Sequence, residues 1–188
     1  MSNMAEKLKI LETLVKLPSY RVIGYTHGHI VYSSNVEGTI DIWSLNINTK
    51  RSAKISEGGI HSLAPVKPKS PLIVYTYDVS KGKELQQVFV NDVEGKNEVK
   101  IEDMPPRRIL GMGFDGETIA LAAASKGSME LWLLKPKGGA EILYSINAIV
   151  FVTDYNDGKI VGQGILKGNP RAYEIFIYDL SKSEFIIY

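Results

Sequence analysis

The sequence predicts an all-β fold: a β-propeller segment of four four-stranded blades, preceded by one N-terminal α-helix. Two repeated columns carry the prediction. Asp41-Ile42-Trp43, Gln87-Val88-Phe89, Glu130-Leu131-Trp132 and Glu174-Ile175-Phe176 share one order of polar, aliphatic, aromatic. The aromatic recurs at 43, 89, 132 and 176, in steps of 46, 43 and 44 residues. Ile30, Ile73, Ile119 and Ile160 form the second column, in steps of 43, 46 and 41. A period of roughly 40–50 residues carried by β-forming side chains marks propeller blades, each a four-stranded sheet. Alternation along a strand puts Asp41 and Trp43 on one face and Ile42 on the other. Neighbouring blades cover both faces, so an apolar residue is wanted on each.

The elements follow in order. Residues 1–18 read as the helix unit, with the helix itself over Met4–Leu17: Met4, Leu8, Leu11 and Val15 make an apolar stripe that Ile10, Leu14 and Leu17 widen. Asn3 is placed to cap it, Glu6 holds the capping-box position, and Pro18 ends it. The stripe has two uses, packing on the edge of its own propeller or docking on another domain, and the sequence leaves both open. Residues 19–188 form the propeller segment, divided at 19–57, 58–103, 104–146 and 147–188. Blade one takes strands Tyr20–Tyr25, His29–Ser34, Thr39–Leu45 and Ser52–Ser56, rich in Val, Ile, Tyr and Thr. Blade two takes Ile60–Val66, Leu72–Tyr77, Gln86–Asn91 and Glu98–Glu102, with Pro65, Pro68 and Pro71 keeping its first connection out of continuous pairing. Blade three takes Arg108–Phe114, Thr118–Ser125, Met129–Lys135 and Ala140–Ser145. Blade four takes Ala148–Asp154, Lys159–Leu166, Ala172–Asp179 and Glu184–Tyr188, with Asn156-Asp157-Gly158 as a hairpin signal.

Composition narrows the function. Of 188 residues, 44% are apolar and 23% charged, which suits a packed core and excludes general disorder. Lys and Arg number 22 against 21 Asp and Glu, with no basic stripe, so nucleic acid is not an expected partner. Cysteine is absent, which removes disulfides, thiolate metal sites and a cysteine nucleophile. No apolar run approaches the roughly 18 residues of a membrane span, and the N-terminus lacks a signal peptide's apolar core, so the expectation is a cytoplasmic protein with no membrane partner.

Asp78-Val79-Ser80-Lys81-Gly82, Arg108-Ile109-Leu110 and Ile160-Val161-Gly162 with Gly164 resemble the propeller of archaeal acylaminoacyl peptidases. These belong to the prolyl oligopeptidase group of serine hydrolases. The resemblance runs in register from the N-terminal helix through blade four. It implies an N-terminal helix, a propeller of seven or eight blades that filters substrates by size, and a C-terminal α/β-hydrolase domain that releases an N-acylated amino acid from a blocked peptide. It also implies a role for Glu84, which on its own reads as an exposed loop acid. In the resembling enzymes a carboxylate at this place reaches into the hydrolase site and pairs with an arginine there. This chain carries no G-x-S-x-G nucleophile elbow, so no catalytic residue is assigned within it.

The remaining candidates read more plainly. His27 and His29 alternate onto one strand face and offer two imidazoles to a metal. A third ligand is unassigned, so a polar strand end is the better reading, with His61 the only other histidine. Gly111-Met112-Gly113 and Gly162-Gln163-Gly164 open no helix and read as close-packed strand positions near the axis, not as phosphate loops. Asp154, Asn156 and Asp157 before Gly158 lack the later ligands of a calcium loop and read as a turn. Lys67, Lys69, Arg107 and Arg108 read as solvated loop charges. No cofactor and no metal are expected.

The resulting expectation is the N-terminal propeller part of an acylaminoacyl-peptidase-like serine hydrolase, controlling access and orienting N-acylated peptides for a catalytic domain that lies outside these residues. The α/β-hydrolase domain is the expected partner. The rival is a stand-alone small propeller acting as a protein-interaction scaffold, against which stands the lack of Gly-His and Trp-Asp signatures. Four blades of a larger ring would leave bare apolar faces, with Trp43 or Ile42 on one side and Ile175 or Phe176 on the other. A second copy is the simplest cover for them, while a tightly closed four-bladed ring would leave none.

Overall fold

The computed structural model describes residues 2–15 and 17–188. Helix α1 (Ser2–Val15) is followed by sixteen strands among these residues. The first sheet holds β1 (Tyr20–Thr26), β2 (His29–Ser34), β3 (Asp41–Asn46) and β4 (Ser52–Lys54). The second holds β5 (Ser62–Leu63), β6 (Leu72–Asp78), β7 (Gln86–Asp92) and β8 (Val99–Lys100). The third holds β9 (Ile109–Phe114), β10 (Ile119–Ser125), β11 (Ser128–Leu134) and β12 (Ala140–Ile146). The fourth holds β13 (Val150–Asn156), β14 (Lys159–Gly164), β15 (Glu174–Asp179) and β16 (Glu184–Ile187). Each sheet is antiparallel with its strands in chain order, the arrangement of a propeller blade. The expected strands are all present, although β5 and β8 shrink to two residues each. The Asp157-Gly158 turn between β13 and β14 has both residues at positive φ, 50° and 68°, as a two-residue hairpin of this twist requires.

The helix starts earlier than its pattern predicts, so Asn3 falls inside it instead of ahead of it. The Asn3 side chain, the expected cap, and Lys16 lie outside the described residues. Met4, Leu8 and Leu11 are 70%, 54% and 57% exposed. These three members of the stripe are therefore not packed on this propeller's own edge. No helix among the described residues is long and apolar enough to cross a membrane.

Three apolar layers join the four sheets, and they obey one rule. Phe89 packs in the layer with Val31 and Ile42 of the first sheet. Trp132 packs with Val74 and Val88 of the second, and Phe176 packs with Ala122 and Leu131 of the third. Each repeated aromatic thus faces the preceding blade. The isoleucine column does the same, with Ile73, Ile119 and Ile160 in those three layers. The middle residue of the triplet faces forward: Ile42 is fully buried against the second sheet. By the same rule Trp43 and Ile30 look away from the second sheet, and both are only partly buried. The Trp43 indole is covered by Lys54, whose Nζ lies 5.7 Å from the ring centroid. At the other end Ile175 is 56% exposed while Phe176 is fully buried. Of the paired alternatives for the bare faces, Ile42 and Phe176 are buried, Ile175 is exposed, and Trp43 is partly covered by Lys54.

The polar column ties strands to neighbouring loops. Buried Asp41 accepts hydrogen bonds from Gly59 N at 3.0 Å, Thr39 Oγ1 at 2.8 Å and Ser56 Oγ at 3.2 Å, and its Oδ2 lies 3.3 Å from Lys54 Nζ. Buried Gln87 donates from Nε2 to Ile101 O and Met104 O. Glu130 Oε2 accepts from Trp132 Nε1 at 3.0 Å, and Glu174 Oε2 accepts from Leu166 N and Lys167 N. Burial pushes the Asp41 carboxyl up, but the donors from Gly59, Thr39 and Lys54 outweigh it and hold the group below the ordinary aspartate range.

The β5–β6 connection, Ala64–Pro71, is the hub. Lys67 Nζ reaches Asp154 of the fourth sheet at 2.9 Å. Thr26 Oγ1 of the first sheet donates to Ser70 O at 2.6 Å, and Ser70 Oγ donates to Gly116 O of the third at 2.7 Å. All four sheets meet on this one strap. Lys67 and Asp154 are consequently an ion pair across the sheets, where the sequence suggests a solvated charge and a simple turn residue. Gly111 and Gly113 let β9 lie directly on β13: a Cβ at either would overlap the backbone at Val152 or Tyr155.

Two outcomes follow. Trp132→Ala removes an aromatic that is 7% exposed between the second and third sheets and should cost about 3–5 kcal/mol in urea denaturation. Glu130→Ala, which only frees the indole N–H, should cost about 1 kcal/mol. Because the folded pKa of Asp41 is depressed, its contribution is present above the unfolded value of about 3.9 and is lost as pH falls through the folded value. Asp41→Asn should therefore be less stable than the parent at pH 7, with the gap closing below about pH 4.

Candidate functional site

Glu84 stands in the loop between β6 and β7, and the loop is built to hold it. Asp78 Oδ1 accepts from Ser80 N at 2.8 Å and Ser80 Oγ at 2.5 Å, and Asp78 Oδ2 accepts from Gly82 N at 3.0 Å. Ser80 Oγ in turn accepts from Lys83 N at 3.1 Å and Leu85 N at 3.0 Å. The Ser80 hydroxyl and N–H hold the Asp78 carboxyl below its usual range. Val79 N closes the loop on Leu85 O at 2.9 Å. This lariat forces Lys81 and Glu84 into positive φ, 56° and 59°, a conformation uncommon for residues with a side chain. Glu84 Oε2 lies 2.8 Å from Arg108 Nη2, with the two side chains 52% and 60% exposed. The carboxylate thus pairs inside this chain, with a residue whose pattern suggested a solvated charge. It remains accessible.

Below this loop the end of the second sheet is polar. Gln86 and Arg107 exchange backbone hydrogen bonds at 2.7 and 3.0 Å. Buried Gln86 also accepts from Thr76 Oγ1 at 3.1 Å, while Thr76 Oγ1 lies 2.7 Å from Ser62 Oγ. Arg107 Nε is buried without a partner among the described residues.

A cavity of about 640 Å³ lies where the four innermost strands face one another. Arg21–Ile23 of β1, Ile60–Pro65 around β5, Gly111 and Met112 of β9, and Val152 and Thr153 of β13 line it, with Ser33 and Ile40 beside them, and it opens to solvent where Arg21, Val22, Ile40 and His61 are exposed. The shortness of β5 makes the room. Only Ser62 and Leu63 pair with β6, and no strand lies on the other side of β5. His61 N bonds Thr76 O, which places the start of β5 at the same end of the sheet as the loop of Glu84. Arg21 pairs with Ser33 at the corresponding end of the first sheet. The strap carrying Lys67 lies toward the opposite end.

His27 and His29 do not share a strand face. His27 sits in the β1–β2 turn at φ 45°, not on a strand, and its Nδ1 lies 2.9 Å from Thr26 Oγ1. His29 points elsewhere, with Nδ1 2.8 Å from His27 O and Nε2 3.2 Å from Asn46 Nδ2. Among the described residues no cluster of three metal-binding side chains occurs. Sequence reasoning missed Arg21, His61 and the Lys67–Asp154 pair. The three prolines of the strap were the one available signal.

Four antiparallel four-stranded sheets stacked about a shared cavity define a β-propeller segment. The chain belongs to the family described as the acylamino-acid-releasing enzyme-like N-terminal domain, whose model matches residues 31–188. Solved structures agree on the fold. A putative TolB from Agrobacterium tumefaciens superposes with a TM-score of 0.63 at 13% identity, covering 90% of this chain and 61% of its own. A prolyl endopeptidase gives 0.63 at 10%, covering 90% and 28%. The Pyrococcus horikoshii acylaminoacyl peptidase gives 0.57 at 16%, covering 90% and 31%. The chain therefore spans less than two thirds of each of these relatives.

Proposed function

We propose that this chain admits and orients N-acylated peptides for an α/β-hydrolase domain, as the propeller part of an acylaminoacyl-peptidase-like serine hydrolase. What carries the reading is the placement of an accessible, rigidly held carboxylate, Glu84, at the same end of the sheets as the central cavity, in a chain of this family. The chain does no bond breaking itself, since it offers no nucleophile elbow. The hydrolase domain sits over the Glu84 end, and the exposed stripe of α1 is free to pack on it. Glu84 then exchanges Arg108 for, or shares it with, an arginine of that domain beside the acyl group. Because the Glu84–Arg108 pair is solvated, it contributes little to folding. In a protein that joins this chain to its hydrolase domain, Glu84→Gln should shift unfolding free energy by less than about 0.5 kcal/mol. The same change should lower kcat/KM for acylated peptides by about tenfold, through loss of a charge-assisted pair. Unchanged kcat/KM would return Glu84 to the role of an exposed loop acid.

The bare faces call for a partner with the chemistry of a blade. Trp43 presents the face that elsewhere meets a preceding blade, and Ile175 the face that elsewhere meets a following one. For the 188-residue chain, a second copy supplies both, the fourth sheet of each meeting the first sheet of the other. Tyr25 and Ile175, at 51% and 56% exposure, add apolar area of the kind that seeks a partner. Light scattering over a concentration series should show a dimer, and a strictly monomeric mass at high concentration would refute the pairing.

A further inference from the structure

The charge of the central cavity points to the ligand end it prefers. Among its lining residues the only ionisable side chains are Arg21 and His61, and neither Asp nor Glu is present. Asp154, next to Thr153 on β13, is already held by Lys67 at 2.9 Å and adds no free negative charge. Among the described residues neither the Arg21 guanidinium nor the His61 ring has an ion-pair partner. Both are exposed, and beside them stand Ile60, Leu63, Met112 and Val152, with hydroxyls from Ser33 and Thr153. The volume of about 640 Å³ lies in the range of small-ligand sites, which are mostly apolar with a few fixed polar groups.

We infer that the cavity is a binding site for the C-terminal carboxylate of a short, N-blocked peptide, with Arg21 as the anchoring group. The inference rests on the proposed role in admitting acylated peptides and specifies how they are told apart. Acylation removes the α-ammonium charge and leaves the C-terminal carboxylate as the only terminal charge. A blocked peptide with neutral side chains is therefore a monoanion. A guanidinium receives a carboxylate through paired N–H donors. The apolar walls take the side chains, and the free edge of β5 offers backbone groups to an extended chain. A free peptide brings an ammonium that finds no carboxylate here.

The test uses the 188-residue chain and three ligands: N-acetyl-trialanine, its C-terminal amide, and unblocked trialanine, titrated by NMR chemical-shift perturbation. The acetylated acid should bind with shifts centred on Arg21–Ile23, Ile60–Pro65 and Gly111–Met112, and both other ligands should bind about tenfold more weakly. Arg21→Gln should weaken the acid about tenfold and leave the amide unchanged, with an unaltered melting temperature showing that the fold is intact. Equal affinity for acid and amide, or for the acid in Arg21→Gln, would overturn the carboxylate site while leaving peptide admission standing. Absence of shifts with either acetylated ligand would overturn both.

Discussion

Packing of one blade on the next is the interaction on which everything else in this chain depends. A four-stranded sheet has two faces, and neither can be left to water without loss of the apolar burial that stabilises it. The sequence answers with a division of labour inside a three-residue triplet. Its aromatic is sent back to the preceding blade, its aliphatic forward to the next, and its polar member binds a nearby loop or the aromatic itself. Phe89, Trp132 and Phe176 show the backward contact, and Ile42, Val88 and Leu131 the forward one. The same rule makes the first and last faces of the stack open. An aromatic and an aliphatic that are core elsewhere become, at the ends, surfaces in want of a blade.

The strap between β5 and β6 turns a stack of pairwise contacts into a single body. Thr26 and Ser70 tie the strap to the two neighbouring sheets, and Lys67 reaches past the third sheet to Asp154 of the fourth. The Pro65–Pro71 segment reaches them because prolines keep it from pairing as a strand. Shortening β5 and inserting the strap are one event with two results. One end of the sheets is tied together, and a cavity opens toward the other, where the stiff loop of Glu84 stands. The polar residues of that loop serve position: Asp78 and Ser80 satisfy four backbone N–H groups and hold Glu84 in a left-handed conformation.

The blades were legible because two-sided burial repeats the same demand every forty-odd residues, and repetition survives in one dimension. The Asp157-Gly158 hairpin was legible because a positive φ at both positions selects its residues. The site was less so. Glu84 came from the resemblance and not from any local signal, and its pairing with Arg108 joins residues 24 apart in sequence. The Lys67–Asp154 contact spans 87 residues, and an ion pair of that separation leaves no periodic trace. Arg21 and His61 sit in ordinary strand and connector sequence, and only the convergence of the inner strands makes them neighbours of one cavity. His27 was misplaced because it forms the turn with Gly28, both at positive φ, ahead of the strand that His29 opens.

The central claim is that peptides enter this propeller along its inner strands. Photocrosslinking measures it most directly: an N-acetylated peptide carrying a benzophenone is irradiated with the chain, and the labelled fragments are mapped by mass spectrometry. The account predicts label on the residues around the cavity, in the segments Arg21–Ile23, Ile60–Pro65, Gly111–Met112 and Val152–Thr153. Label confined to the outermost strands β4, β8, β12 and β16 would contradict it.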